Sequence, residues 1–304
     1  MFPFLAIGNP VYDIIETPFA KTDGRVLSGC SVNAALTIGK LGERVALVGA
    51  IGEDFREHMV NKLKQYNVEA YVQPSKETGG FHLVYLDESM NDRRLSVLGH
   101  ASRIDVSRIP EILFDARIII IGPILDELSL EDLKYLKEKS DALILTDPQG
   151  FLRFLENGKV IRRRPENIEE VIKLSHIFKP NEHEAHVIFP KMEFSKIAEK
   201  IAEINSGIGI VTLAERGSII AFERKTYKIP AHPARAIDPT GCGDVYAGAF
   251  AFYYLKYQDP VESAAFASAV ASFMVESIGP DFKLPRKEVE ERFQRVLEGV
   301  EKIR

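Results

Sequence analysis

A chain of 304 residues with 45% apolar and 27% charged side chains can bury a sizeable core, as one large α/β domain with an excursion or as two domains. The net charge of -5 is spread over both signs, which argues against nucleic acid as a partner, and no apolar run approaches the ~20 residues of a membrane span. The start lacks the basic flank and cleavage site of a signal peptide, and two cysteines, Cys30 and Cys242, are too few for a disulfide framework, so a cytoplasmic protein with free thiols is expected. In chain order, Phe4 to Gly8 reads as a short strand and Val11 to Glu16 as a second extended stretch. The small-residue turn Ser28-Gly29-Cys30-Ser31-Val32-Asn33 opens a helix that stops at Gly42. Val45 to Ala50 is a buried strand, and Asp54 can cap a helix carrying Phe55, Met59, Leu63 and Tyr66.

From Val68 to Leu98 the segments Glu69–Val72, Gly80–Leu86 and Arg93–Val97 are extended, with turns and no helix between them, which suggests a small antiparallel sheet inserted into the α/β domain. Strand and helix then alternate: Ile118–Ile121, a helix at Ser129–Lys139 with a Ser129-to-Asp132 capping pattern, and Ala142–Thr146. A loop around Asp147-Pro148-Gln149-Gly150 follows, then a helix near Glu166–Leu174, a strand at Ile177-Phe178, and helices at Glu182–Phe189 and Phe194–Asn205. Strands at Ile208–Leu213, Ser218–Glu223 and Thr226–Ile229 precede helices at Asp244–Tyr257, Pro260–Ser277 and Arg286–Glu298. Recurring β-α order implies a mostly parallel sheet with helices on both faces, whose sites lie beyond the C-terminal ends of the strands.

The stretch Asp238-Pro239-Thr240-Gly241-Cys242-Gly243-Asp244 is a turn that opens a long helix. Its glycines allow close approach of backbone to a ligand, and the unpaired N–H groups and dipole of the helix start favour an anion such as phosphate. Asp244 in that first turn either complements the dipole or aims a base at the anion. Other chemistries fit poorly. There is no Gly-x-x-x-x-Gly-Lys-Ser/Thr, and a dinucleotide unit would need its third glycine at Tyr246 and a following strand. His183 and His186 are three apart where a zinc-protease helix needs four, and Arg162-Arg163-Arg164 reads as a solvated loop.

Four motifs together resemble the PfkB family of ribokinase-like sugar kinases over nearly the whole chain. Asp238–Asp244 is similar to the family's Asp-Thr-x-Gly-Ala-Gly-Asp signature, with Pro239 and Cys242 departing from it. Ser28–Asn33 resembles the Gly-Gly-x-x-x-Asn loop, with Ser28 for the first glycine. Lys179-Pro180-Asn181-Glu182-His183-Glu184 matches Lys-Pro-Asn-x-x-Glu, and Gly49–Asp54 matches Gly-x-x-Gly-x-Asp. The resemblance implies a ribokinase-like α/β fold in which 1–10, 29–67 and 102–304 form the nucleotide-binding catalytic domain, and 11–28 with 68–101 form a β-sheet lid over the substrate. It implies ATP and Mg2+, with K+ in some members. Asp244 would be the general base, and the N–H groups of Gly241, Cys242 and Gly243 would steady the transferring phosphoryl group. Asp13, Gly29 and Asn33 would bind the acceptor. Asn181 and Glu184 would organise magnesium through water, Thr212 and Gly217 would line the nucleotide, and Asp238 and Thr240 match a monovalent-cation site. Ala214 stands where a glycine is usual.

The loop Asp147-Pro148-Gln149-Gly150-Phe151-Leu152-Arg153 looks like the form found in the family's inositol kinases, which makes Gln149 and Arg153 candidates for substrate or phosphate contact, with anchoring of the loop the alternative role of Arg153, and favours an inositol-like polyol. The segments Tyr85 to Arg94 and His100-Ala101-Ser102 lean the same way. The Ser28–Asn33 loop reads more like that of a ribokinase or nucleoside kinase, so a nucleoside kinase is the alternative, and a non-catalytic sugar sensor on the same fold is the rival from another class. Partners would be the small acceptor and ATP, with no membrane; an exposed lid sheet could also find a second copy at its edge.

Overall fold

The computed structural model describes residues 2–88, 90 and 93–304. The elements are β1 (Phe4–Ile7), β2 (Val11–Glu16), β3 (Val26–Ser28), α1 (Cys30–Lys40), β4 (Val45–Gly52), α2 (Glu53–Leu63), β5 (Val68–Ser75), β6 (Gly79–Tyr85), β7 (Arg93–Gly99) and β8 (Ile118–Ile121). Then follow α3 (Leu130–Lys139), β9 (Leu143–Thr146), α4 (Gln149–Leu152), β10 (Arg153–Glu156), β11 (Lys159–Arg162), α5 (Ile168–Leu174), β12 (Ile177–Phe178), α6 (Glu182–Ile188) and α7 (Phe194–Asn205). The C-terminal part holds β13 (Ile208–Thr212), β14 (Ser218–Phe222), β15 (Lys225–Ile229), α8 (Cys242–Tyr257), α9 (Pro260–Val275), α10 (Arg286–Glu298) and β16 (Glu301–Lys302).

One large sheet runs in the order β16-β15-β14-β13-β12-β9-β8-β1-β4-β5. Every pairing from β5 to β13 is parallel, while β14, β15 and β16 add on antiparallel. The run Ile118 to Ile121 is wholly buried because both faces of this sheet are covered. Ile118 and Ile120 join Phe4 and Ala6 in the core beneath α1, α8 and α9, whereas Ile119 and Ile121 join Leu5 and Ile7 beneath α3, α5 and α7. Ser129 caps α3 with Asp132 as expected, and the buried strands all end at one edge of the sheet, where the connecting turns gather.

A second sheet, β3-β2-β6-β7, has its own small core of Val11, Ile15, Phe81, Leu83 and Tyr85. Its topology is mixed, because β2 and β6 run parallel. The expected division of the chain shifts here: Val68–Ser75 is not part of the inserted sheet but the edge strand of the large one, registered along the whole of β4. The inserted part is therefore 11–28 with 79–99. Asp54 is also not a cap. Gly52 occupies that position, and Asp54 Oδ1 instead accepts the N–H of Thr78 at 3.0 Å and its hydroxyl at 2.8 Å, tying the entry to β6 onto α2. The loop expected after Gly150 is a one-turn helix followed by the hairpin β10–β11, so Arg162 lies in a strand. Ser89, Asn91 and Asp92, within the Tyr85 to Arg94 segment, lie outside the described residues. Among the described residues no helix is long and apolar enough to cross a membrane.

Candidate active site

The turn before α8 is fixed from below. Asp238 is fully buried and accepts the N–H of Thr240 at 2.9 Å through one carboxylate oxygen and that of Gly279 at 3.3 Å through the other. Burial pushes its pKa up, and those N–H groups draw it partly back. The chain then turns through Gly241, whose φ of 82° lies in the left-handed region and whose missing Cβ would stand 2.7 Å from Asn33 Nδ2. Only glycine satisfies both demands. In the first turn of α8 the N–H of Cys242 donates to Pro239 and that of Asp244 to Gly241. The N–H groups of Gly241 and Gly243 enter neither bond, so the expectation that all three of Gly241, Cys242 and Gly243 offer free donors narrows to the two glycines.

Asp244 is half-buried and its Oδ2 accepts from Asn33 Nδ2 at 3.0 Å, across 211 residues of sequence. Asn33 reaches it from α1, whose start is set by Gly29 at φ 123°. Desolvation holds the Asp244 carboxyl above the usual range, the charge of Asp147 adds to this, and the Asn33 amide and Lys179 oppose it. Lys179, which sequence reasoning left without a role, is 1% exposed and donates to Asp147 Oδ2 at 2.7 Å. Its Nζ is the nearest atom, at 3.6 Å, to a Cβ built on Gly243. The open turn of α8 thus faces a buried ammonium. The signal lay in topology: β9 and β12 are neighbouring parallel strands, and each is followed at once by a charged residue, Asp147 and Lys179. Cys30 Sγ, Asp147 and Asp244 offer ligand atoms all within 4.8 Å of one another, and burial holds the Cys30 thiol protonated.

Asn181 and Glu184 form a reciprocal capping box on α6, with Asn181 N–H to Glu184 Oε2 and Glu184 N–H to Asn181 Oδ1 both at 2.9 Å. Glu184 is 2% exposed; burial, then the Asp147 charge, push its carboxyl up to about 7. Thr212, at the end of β13, bridges to Asn181, and Gly217 follows one short turn later with φ 87° and a Cβ position 2.0 Å from the Ile229 carbonyl. Ala214, between them, takes a left-handed φ of 51°, as the usual glycine would.

Asp13 on β2 is buried, and burial pushes its carboxyl up to about 6 against a hydrogen bond from Ser28 and the charge of Arg93. The charges of Asp238 and Asp244 also act on it, which places it beside the α8 turn. Arg93 on β7 donates to the Tyr85 hydroxyl at 2.8 Å, and that hydroxyl lies 2.9 Å from Thr240 Oγ1, linking the small sheet to the same turn. Gln149 opens α4 with its N–H on Asp147 Oδ1 at 3.1 Å, while Arg153 at the helix end is 4% exposed and its Nε has no partner. Asn33, Asp244, Asp147 and Lys179 are therefore neighbours, Asp13 and Glu184 lie close enough for their charges to act on this group, and Gln149 and Arg153 adjoin Asp147.

A carboxylate in the first turn of a helix with open N–H groups, faced by a buried ammonium, is an arrangement that can hold an anion beside a base. Comparison with known proteins narrows this. The model of the "pfkB family carbohydrate kinase" matches residues 19–287. The chain is similar to the nucleoside kinase of Methanothermobacter thermautotrophicus (26% identical, covering 92% of each chain) and to the ribokinase of Bacillus subtilis (27% identical, 91% of this chain and 90% of that one). Among solved structures, a pyrophosphate-dependent kinase in the ribokinase family, complexed with a pyrophosphate analog and myo-inositol, superposes with a TM-score of 0.81 at 21% identity over 95% of this chain and 99% of the other. The chain belongs to the PfkB family of carbohydrate kinases. It is a phosphotransferase with an alcohol group as acceptor, on a ribokinase-like fold.

Proposed function

We propose that the protein transfers the γ-phosphate of ATP to a hydroxyl of a small sugar or polyol, with an inositol-like acceptor favoured. The observation that carries this is the Asn33–Asp244 hydrogen bond, which holds a carboxylate of raised pKa at the open helix start of α8 beside Lys179. Asp244 takes the proton of the attacking hydroxyl as the new O–P bond forms and the bond to ADP breaks. The N–H groups of Gly241 and Gly243, with the Lys179 ammonium, stabilise the charge on the group in flight. Asp13, Gly29 and Asn33 bind the acceptor, together with Gln149; a buried carboxylate and amide penalise any hydroxyl pattern that leaves them unpaired. Thr212 and Gly217 line the nucleotide, and the small sheet acts as the lid. The rims of its edge strands suit a second copy of the chain.

Asn181 and Glu184 fit magnesium held through water. Glu184 keeps Oε1 outside the capping box, the single Asn181 Oδ1 has a second lone pair beside the Glu184 N–H it accepts, and the Glu184 carboxyl is buried without an ion-pair partner among the described residues. When bound, Mg2+ neutralises phosphate charge. Asp238 and Thr240 are the place for a monovalent cation, which would share a carboxylate that already orders two backbone N–H groups. A nucleoside acceptor is the second reading, favoured by the nucleoside kinase and cytidine kinase relatives. An ADP-release screen over inositols, hexoses, pentoses, sugar acids and nucleosides, with pyrophosphate run as a parallel donor, decides among them. The reading expects at least one acceptor to raise ADP release far above the background hydrolysis of ATP; no response to any of them would refute it.

A further inference from the structure

Lys40 is the last residue of α1, the helix whose first turn carries Asn33. Its ammonium donates to the carbonyls of Pro280 and Phe282, the latter at 2.7 Å, and stands 3.8 Å from the ring centre of Phe282 and 4.9 Å from that of Tyr66. Gly39 permits the second approach, because a Cβ there would collide with the Tyr66 carbonyl. Among the described residues no carboxylate lies within ion-pairing distance of Lys40: Asp281, between the two carbonyls in sequence, pairs with Lys62 of α2, and Glu43 with Lys256 of α8. Burial pulls the Lys40 pKa down to about 8; Asp281 opposes this and Lys62 adds to it. Those two and the Tyr66 hydroxyl are the titratable groups packed around it, from the turn, from α2 and from the segment that follows α2.

On its other side the same segment holds the α8 turn. The N–H of Gly279 donates to Asp238 Oδ2, while the backbone of Asp238 is fixed separately: its N–H and that of Ile237 both meet the Val275 carbonyl at the end of α9, at 3.2 and 2.7 Å. What Gly279 fixes is therefore the rotation of the carboxylate, and that rotation decides whether Oδ1 can take the Thr240 N–H. Gly279 turns at φ 65° with Val26 of β3 3.7 Å from its Cβ position, and with Pro280 it lines one hollow shared with Ser28, Asn33 and Thr240. Asn33 and Lys40 are two helical turns apart, on one face of α1, about 10 Å along its axis. We propose that Lys40 is a positioning residue for phosphoryl transfer: it grips the 279–282 turn, keeps the Gly279 N–H aimed at Asp238, and so holds the Asp238–Asp244 turn in shape while Asn33 holds Asp244 from the other end of the face. A charged donor makes the stronger bond to a carbonyl, so the grip slackens when the ammonium loses its proton.

The consequence for turnover rests on the kinase reading, so one measurement needs none. Amide hydrogen exchange of the intact protein is expected to be about tenfold faster in Lys40→Met than in wild type over 275–284 and 237–246, and unchanged over β8, which separates a local effect from general loosening. If Lys40→Met fails to fold, Lys40→Gln replaces it with the same expectation. On an acceptor that wild type phosphorylates, Lys40→Met is expected to lower kcat about ten- to a hundredfold. Wild-type kcat is expected to fall as pH rises through about 8, the range in which Lys40 loses its proton. That alkaline limb is expected to vanish in Lys40→Met, which has nothing to titrate, and in Lys40→Arg, whose guanidinium stays charged. A role in stability alone would lower kcat by the same factor at every pH. Exchange over 237–246 unchanged in the variant, or an alkaline limb that persists in both, overturns the proposal. Faster exchange over 237–246 in a protein that phosphorylates no acceptor would sink the kinase reading alone.

Discussion

Asp13, Glu184, Asp238 and Asp244 all have carboxyls held above the ordinary range, and in each case burial is the largest cause. For Asp244 the Asn33 amide works in the other direction, stabilising the anion. Asn33→Ala should therefore move the acid limb of the kcat/KM profile to higher pH, because less of the base is ionised at any given pH. A profile shifted down or left in place would separate Asn33 from the base. Asp13 makes a statement about stability. Its folded pKa of about 6 exceeds the ordinary 3.8, so well below pH 3.8 folded and unfolded chains are both largely protonated and almost nothing is lost. As pH rises through 4 to 6, the unfolded state ionises first, and the fold forfeits on the order of 3 kcal/mol by pH 7. Asp13→Asn should accordingly raise the unfolding midpoint at pH 7.5 and leave it nearly unchanged at about pH 3, while weakening acceptor binding. Equal midpoint shifts at both pH values would contradict this.

The start of α8 is held in place by demands that a loose loop would not meet. Gly241 must be left-handed and must leave room for the Asn33 amide, so Gly241→Ala meets both backbone strain and a contact of 2.7 Å. The substitution is expected to cost about 1–2 kcal/mol of stability and to lower kcat by more than the stability loss explains, since Asn33 must move. Circular dichroism melts beside steady-state kinetics check the pair of effects. Many elements were legible in the residues themselves. Arg286–Glu298 and Phe194–Asn205 match their apolar periodicity to the residue, and the four-isoleucine strand could only be buried. The hairpin β10–β11 was also encoded, because Asn157 and Gly158 adopt φ of 51° and 76°, the turn their types favour. Its strands carry so many charges that no alternation marks them. What local pattern could not supply was pairing: Val68–Ser75 reads like its neighbours β6 and β7, and nothing within it says that it joins β4 instead.

At the scale of the molecule, the site is assembled where two sheets meet, from turns far apart in sequence. Asn9 shows the joint: its side chain bonds the Ser102 carbonyl and the Ala50 N–H, and its own N–H donates to Glu127. Buried Glu127 in turn gathers the N–H groups of Ile124 and Leu125, fixing the turn after β8 beside the crossing. Of the residues the motifs named, Asn33 and Asp244 meet through a hydrogen bond, and Asn181 meets Glu184 within its own helix start. The Lys179–Asp147 pair was invisible without strand order. The central claim is that Asp244 is the base of phosphoryl transfer. Comparing wild type and Asp244→Asn in an ADP-release assay, on an acceptor that wild type phosphorylates, tests it most directly when acceptor affinity is measured on the same samples. The account predicts a fall in kcat of about 10²–10⁴-fold with acceptor affinity changed only a few-fold. A variant that kept kcat within tenfold of wild type would contradict it.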